Sequence, residues 1–194
     1  MAIEKIVPDG TSTPHPTWTE TDGGTGNVHL ALDAADSNYA RCTTVNNNII
    51  ITFGNLTSDI GSINSIRFYV NGYDDGIRGA SDVVTFSLRN ASDTSYNLDE
   101  NKTFTDATLN TVQAGTERTT HDGSSAWTES LVNGLRMKVL WATENNANCR
   151  LNLDHLYINV DYNENVLAPY NNTLNNITLN SGTTTISGGT VILD

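Results

Sequence analysis

The chain of 194 residues carries 22 acidic and 10 basic side chains, which gives a formal net charge of -12. Such an acidic surface repels phosphate and anionic lipid, so it excludes a free nucleic-acid binder and a binder of anionic membranes. Apolar residues make up 37% of the sequence, and Asn, Thr, Ser, Asp and Gly are abundant. This mixture is typical of short strands joined by turns rather than of helices.

The opening sequence MAIEKIVPDG lacks an apolar core of signal-peptide length, and no run approaches transmembrane length. We therefore expect a protein that is made and used without a secretion machinery that reads such a signal. The two cysteines, Cys42 and Cys149, do not make a disulfide scaffold. They form a single bridge or serve as two small buried hydrophobes, and both interpretations stay open.

The first predicted element covers residues 1–22 and contains Pro8, Pro14 and Pro16. Three prolines so close together exclude a long helix and predict an extended arm or an edge strand. The glycine-rich stretch at residues 22–26 is predicted as a loop. A phosphate-binding loop would need a lysine and a following helix, and neither is present.

A series of short strands is predicted in the middle of the chain, because apolar side chains recur at every second position. These strands cover residues 49–53, 66–70, 83–88, 103–105 and 109–112. Residues 90–100 are predicted as a loop. Polar turns separate the strands at nearly regular spacing, which is the pattern of an antiparallel sandwich or jelly roll.

The clearest alternation lies in residues 124–162. The side chains predicted to face inward on the first of its two strands are Leu135, Met137, Val139 and Trp141. On the second strand they are Leu151 and Leu153, followed after a shift of one position by Leu156, Ile158, Val160 and Tyr162. A shift of this kind at Asp154 and His155 predicts a β-bulge.

The pattern changes at residues 163–165, which are predicted as a linker, and the remaining tail carries almost no charge. Its apolar side chains are too few to form a core alone. Strand addition to a neighbouring subunit would order it, and a flexible tail is the alternative. The predicted partner-contact residues are Leu174, Ile177, Leu179, Ile186, Val191 and Leu193.

The sequence therefore predicts an all-β chain folded as an antiparallel, jelly-roll-like β-sandwich, with an extended N-terminal arm and a strand-forming C-terminal tail. The predicted divisions are an arm or edge strand at residues 1–22, the sandwich at residues 23–162, and the linker with the C-terminal arm at residues 163–194.

No catalytic constellation is recognisable. The four histidines, His15, His29, His121 and His155, show no zinc-ligand spacing and are predicted as surface or interface residues. No Gly-x-Ser-x-Gly motif occurs, and acidic neighbours such as Asp74 and Asp75 are predicted as solvated turn carboxylates. We therefore expect no enzyme activity, no catalytic residue and no cofactor.

Calcium is the strongest of the metal alternatives. Asp33, Asp36 and Asn38 supply hard oxygen ligands within one turn, and Asp154 is a further candidate that would approach in space. The spacing does not match a helix–loop–helix calcium loop, so the sequence assigns no metal ligand.

A sugar platform is the other binding alternative. Trp18, Tyr69, Tyr73 and Tyr96 lie in predicted loops or at outward positions of predicted strands, where aromatic rings could stack on sugars. Trp127 and Trp141 are predicted to lie in the core.

The segments SINSIRFYVNGY, DVVTFSLRN, SSAWTESLVNGLRMKVLW and CRLNLDHLYINVDY together resemble the jelly-roll virion proteins of tailed bacteriophages. That group includes head-decoration (cement) proteins and β-rich fibre modules. The resemblance is one of layout over residues 1–162, and it is carried mainly by the turn at Trp127 and the closing LYINVDY strand.

The resemblance implies a non-enzymatic structural protein of the virion, assembled in the host cytoplasm and located on the capsid surface. It implies a homotrimer that binds the major capsid protein and stabilises the head, without nucleic acid or membrane as partners. The short tail favours a decoration protein over a fibre. The alternative is a carbohydrate-binding β-sandwich that recognises a host-surface glycan or another polysaccharide.

Overall fold

The computed structural model describes residues 1–13, 17–20, 28–33, 38–75, 81–105, 112–143 and 150–165. Within these residues the secondary structure consists of strands with one 3₁₀ turn, Val28–Ala31, and one short helix, α1, Glu129–Val132. The strands are β1 (Ala2–Ile6), β2 (Pro8–Thr13), β3 (Trp18–Glu20), β4 (Ala40–Cys42), β5 (Asn48–Phe53), β6 (Ile60–Asp74), β7 (Ser81–Arg89), β8 (Ser95–Thr105), β9 (Gln113–Ala114), β10 (Arg136–Thr143) and β11 (Leu151–Glu164).

The strands form two antiparallel sheets. Sheet A has the order β3-β4-β11-β6-β9, with β1 also paired to β11, and sheet B has the order β2-β5-β10-β7-β8. The long strands β6 and β11 pair from Ile60 and Glu164 at one end to Asp74 and Leu151 at the other. The predicted all-β antiparallel sandwich is confirmed.

The core lies between the two sheets and is built by alternating inward side chains. Leu135, Met137, Val139 and Trp141 are at most 1% exposed, which confirms the inward face predicted for β10. Phe68 of sheet A stacks on Phe86 of sheet B with 5.3 Å between ring centroids. Full burial of side chains of this size contributes about 1.5–3 kcal/mol each relative to exposure.

The N-terminal segment enters both sheets. β1 runs beside β11, with Ala2 opposite Tyr162, and β2 pairs with β5 at the edge of sheet B. Pro8 is the first residue of β2, a position that tolerates a residue without a backbone donor. The division of the chain at residues 22 and 162 stays a prediction.

The predicted bulge in β11 is confirmed. The register with β6 shifts between Leu153 and His155, so Leu153 and Leu156 both face the core and are fully buried. Two residues then oppose one on the partner strand. As a consequence, His155 and Tyr157 point to the outer face of sheet A.

The loop predicted at residues 90–100 is wrong in its second half, because β8 begins at Ser95. Two positions on the inward side of this strand hold Glu100 and Lys102, which lie 3.4 Å apart as an ion pair. Lys102 also lies over the Phe68 ring. Charged residues at these positions conceal the alternation that a strand prediction depends on.

Candidate functional site

The outer face of sheet A is the candidate site. It is formed by the outward side chains of β1, β6 and β11, which alternate with the buried ones. Its members are Ile3, Lys5, Arg67, Tyr69, Asn71, Tyr73, His155, Tyr157, Asn159 and Asp161. Aromatic, charged and amide groups therefore share one surface on the two longest strands of the sandwich.

A column of side chains crosses this face, and we call Tyr69, Tyr157, His155 and Lys5 the tyrosine column. Tyr69 and Tyr157 are direct cross-strand partners, and their rings stack at 4.9 Å with an angle of 9°. The His155 ring packs against Tyr157 at 4.7 Å. Lys5 Nζ lies 4.4 Å from the centre of the Tyr157 ring, within the range of a cation–π contact.

Burial, and then the neighbouring phenol of Tyr69, raise the pKa of the Tyr157 hydroxyl. The hydroxyl therefore stays protonated at physiological pH and can donate a hydrogen bond. Stacked cross-strand pairs contribute beyond the area that they bury, so the column gives Tyr69 a fixed position.

A shallow pocket of about 120 Å³ opens beside Tyr69. Its lining residues are Ile3, Ser65, Arg67, Tyr69, Glu117, Asn159 and Asp161. Ile3 is 67% exposed and gives the pocket an apolar side. The remaining lining combines a guanidinium, an amide, a hydroxyl and carboxylates.

Arg67 is held in place by the edge of the sheet. Its Nε donates to the Gly115 carbonyl at 2.8 Å, and the Gly115 amide donates to the Phe68 carbonyl at 2.8 Å. The two terminal nitrogens of Arg67 donate to none of the described residues. They can therefore donate to a ligand in the pocket.

The two carboxylates of the pocket are anchored by one oxygen each. Ser65 Oγ donates to Glu117 Oε1 at 2.7 Å, and Asn64 Nδ2 donates to Asp161 Oδ1 at 3.0 Å. The second oxygen of each carboxylate accepts no hydrogen bond from the described residues. Fixed donors and acceptors lower the ordering cost of binding, so the pocket suits a small ligand rich in hydroxyl groups.

The aromatic residues predicted from the sequence divide into two groups. Tyr69 and Tyr73 lie on the outer face of sheet A, and Tyr73 meets the Tyr39 ring edge-on at 5.4 Å. The prediction that Trp18 is exposed is wrong, because β3 places its side chain fully in the core. Tyr96 packs its ring against Trp127 at 5.5 Å and belongs to a cluster elsewhere.

Trp127 and Trp141 are buried, at 3% and 0% exposure, so the prediction that both belong to the core is confirmed. Sequence reasoning missed Tyr157 and Arg67 as site residues. Tyr157 could have been found by extending the alternation beyond the predicted bulge, which places it outward and on the same strand face as Asn159.

His155 was predicted as a surface or interface residue, and at 9% exposure it is more enclosed than a surface residue. Its bulged position turns the ring toward Tyr157 while the sheet around it limits solvent access. The bulge that was inferred from the sequence is therefore also the feature that brings His155 into the column.

Among the described residues, no three His, Cys, Asp or Glu side chains form a group that could hold a metal ion. The calcium hypothesis included Asp36, which lies outside the described part of the chain. Cys42 is buried, and desolvation raises the pKa of its thiol. Its predicted alternative partner, Cys149, also lies outside the described ranges.

The predicted partner-contact residues of the tail lie outside the described residues, and they stay predictions. These are Leu174, Ile177, Leu179, Ile186, Val191 and Leu193. In the described part of the chain, no helix has the length and apolar character needed to cross a membrane.

No family model and no curated protein matches the chain. A solved structure with a similar outline is the CBM36-1 domain of a multidomain xylanase from the hindgut metagenome of Trinervitermes trinervoides. It is 8% identical, with a TM-score of 0.41, over 81% of this chain and 96% of that domain. A likeness at that score carries no argument, so the class rests on the strands themselves: the protein is an all-β antiparallel sandwich.

Proposed function

We propose that the protein is a non-enzymatic carbohydrate-binding β-sandwich, and that the outer face of sheet A binds one sugar unit of a neutral glycan. The observation that carries the proposal is the pocket of anchored polar side chains beside Tyr69. Polyhydroxylated ligands need donors and acceptors at fixed positions together with an apolar surface. Arg67, Glu117 and Asp161 supply the donors and acceptors. Tyr69 and Ile3 supply the apolar surface.

The tyrosine column supports the apolar part of this proposal. Tyr69 lines the pocket, and Tyr157 stacks against it without lining the pocket itself. Aromatic rings offer a large rigid surface to the apolar face of a sugar. A ring already held by a neighbour loses little conformational freedom when the ligand arrives.

The charges of the pocket favour a neutral ligand. One guanidinium, that of Arg67, faces two carboxylates, those of Glu117 and Asp161, and the whole chain is strongly acidic. A uronate or phosphate would meet like charge from the two carboxylates. Neutral hydroxyl groups can instead donate to the carboxylates and accept from the guanidinium.

The size of the pocket supports binding without catalysis. At about 120 Å³ it is smaller than the roughly 300–1,000 Å³ that enclose most small-molecule substrates. A shallow site of this size holds one unit of a chain that continues along the surface.

The test is isothermal titration with neutral oligosaccharides (xylohexaose, cellohexaose and mannohexaose), with oligogalacturonate as the acidic control. We expect one of the neutral ligands to bind, and Tyr69→Ala and Arg67→Ala each to weaken binding at least tenfold, about 1.4 kcal/mol. Lys138→Ala, on the outer face of sheet B, is the matched control and should bind like the wild type. Binding that survives both substitutions, or no binding to any neutral glycan, would contradict the proposal.

The capsid-decoration function predicted from the sequence is the second proposal. It is favoured by the end of β11, where Glu164 pairs with Ile60 and Asn165 donates to the Asp59 carbonyl at 3.0 Å. Residues 163 and 164, which the sequence predicted as part of a linker, therefore continue sheet A as part of β11. Attachment to a capsid through this end of sheet A would leave its outer face accessible. Particles without the protein should lose resistance to heat or osmotic shock, and equal robustness would contradict a cement function.

A further inference from the structure

The protonation state of His155 follows from its contact with Lys5. Lys5 Nζ lies 3.0 Å from His155 Nε2, and an ammonium group can only donate a hydrogen bond. Nε2 must therefore carry a lone pair, which requires a neutral imidazole with its proton on Nδ1.

The same ammonium group touches the tyrosine column. Lys5 Nζ lies 4.4 Å from the centre of the Tyr157 ring, so the ammonium is held between an imidazole acceptor and an aromatic face. Tyr157 stacks on Tyr69, which lines the pocket. A continuous series of contacts thus connects His155 to the proposed sugar site.

We propose that His155 is a pH-sensing positioning residue: when neutral it holds Lys5 on Tyr157 and keeps the column ordered, and when protonated it releases Lys5 and weakens glycan binding. The inference rests on the proposed function and deepens it, because it assigns a regulation to the same face.

Protonation would place two like charges in direct contact. Lys5 is exposed and can leave toward solvent, where its charge is fully hydrated. The Tyr157 ring then loses the cation on its face, and the Tyr69 ring loses a constrained neighbour. We expect binding to weaken about two- to fivefold, the range that an exposed cation–π contact supplies.

The surroundings of His155 set the pH range of this switch. The charged, titratable and polar groups around it are Lys5 from β1, Asp33 after the 3₁₀ turn, Asn71 from β6, and Asp154 and Tyr157 from β11. Burial, and then the charge of Lys5, hold the pKa of His155 below its usual range, while Asp33 opposes them. Binding should therefore weaken only as the pH falls below the ordinary histidine range.

The experiment compares the dissociation constant of the best neutral hexasaccharide from pH 8 to pH 5 in the wild type and in three variants. His155→Gln keeps a neutral polar group near the position of Nε2, and Lys5→Met removes the charge. We expect the wild type to lose affinity in acid, His155→Gln to be flat with pH, and Lys5→Met to be both weaker and flat. His121→Gln, in the cluster with Trp127, is the control and should keep the wild-type profile.

A ligand-free NMR titration keeps this inference separate from the proposed function. The pKa of His155 should rise in Lys5→Met, and the ring signals of Tyr69 and Tyr157 should shift with His155 titration in the wild type but not in His155→Gln. An unchanged His155 pKa in Lys5→Met, or tyrosine signals that ignore its titration, would overturn the switch even if no glycan binds. The same pH profile in His155→Gln as in the wild type would also overturn it.

Discussion

The two outer faces of the sandwich are both formed by antiparallel strands, but they carry different side chains. The outer face of sheet A carries three tyrosines, Tyr69, Tyr73 and Tyr157, together with His155. The outward positions of β7, β8 and β10 in sheet B include Val83, Thr85, Ser87, Arg89, Asp99, Asn101, Thr103, Arg136, Lys138 and Leu140. Those described positions include no aromatic side chain.

This difference separates the features that the fold requires from those that it does not require. A half-buried sheet needs apolar residues inward and mainly polar residues outward. Sheet B meets this requirement with hydroxyl, amide and charged groups beside the apolar Val83 and Leu140. Thr85 Oγ1, for example, donates to Asn101 Oδ1 at 2.8 Å. Stacked aromatics beside an anchored polar pocket go beyond this requirement, which supports the proposed binding function of this face.

The largest loss of stability is expected from Gly115→Ala, because this substitution would deform the edge of sheet A that holds Arg67. A Cβ at this position would overlap the Phe68 ring, and the Gly115 carbonyl holds Arg67. We expect a loss of about 1–3 kcal/mol of unfolding free energy from overpacking, measured by urea denaturation, together with weaker glycan binding. Gly54→Ala is the control, because its nearest neighbour would be the Val7 carbonyl at 3.7 Å and its stability should hardly change.

A smaller loss of stability is expected from Glu100→Gln. This substitution tests whether the contact between the two sheets can be weakened without altering either outer face. Glu100 accepts from Arg118 Nη2 at 2.9 Å and from the Thr116 amide at 2.9 Å, so it ties β8 to the segment at the edge of sheet A. We expect the free energy of unfolding at pH 7 to fall by about 0.5–1.5 kcal/mol, while glycan affinity stays unchanged. Asp99→Asn, on the exposed side of the same strand, should cost less.

The pH dependence of this effect has a defined sign. Burial opposes the ionisation of Glu100, but the hydrogen bonds from Thr116 and Arg118 and the charges of Lys102 and Arg118 outweigh it, so its pKa lies below the usual value. The stabilisation is therefore present above the ordinary glutamate pKa and is lost as the pH falls through the lowered value. Unfolding curves of the wild type and Glu100→Gln should converge in strong acid, and a constant difference at every pH would contradict the assignment.

The smallest effect on stability and glycan affinity is expected from Lys138→Ala, which changes only the outer face of sheet B. Its half-buried side chain makes no ion pair with the described residues, and surface substitutions away from buried networks usually change stability by less than about 0.5 kcal/mol. Glycan affinity should be equal to that of the wild type. A loss of binding as large as that of Tyr69→Ala would remove the distinction between the two faces.

The sequence predicted the elements that can be recognised from the residues of a single strand. The alternation at Leu135 to Trp141 and the shifted alternation around His155 are properties of single strands with one buried face, and both were confirmed. Trp18 was misplaced because three prolines nearby suggested an exposed arm, whereas the short strand β3 pairs with β4 and buries the indole.

The candidate site could not be predicted in full because its residues are distant from one another in the sequence. Tyr69 and Tyr157 lie 88 positions apart in the sequence and meet only through the register of β6 and β11. Glu117 joins the pocket from a loop beyond β9, through its contact with Ser65. Composition and periodicity give the outward direction of such side chains, but long-range strand pairing decides which of them are neighbours.

The most direct test of glycan binding at the outer face of sheet A is NMR mapping of the neutral hexasaccharide on the isotope-labelled protein. We expect the largest shift changes at Arg67, Tyr69 and Asn159, with no change at Thr85 or Lys138 in sheet B. Changes confined to sheet B, or spread evenly over both faces, would contradict the assignment of glycan binding to the outer face of sheet A.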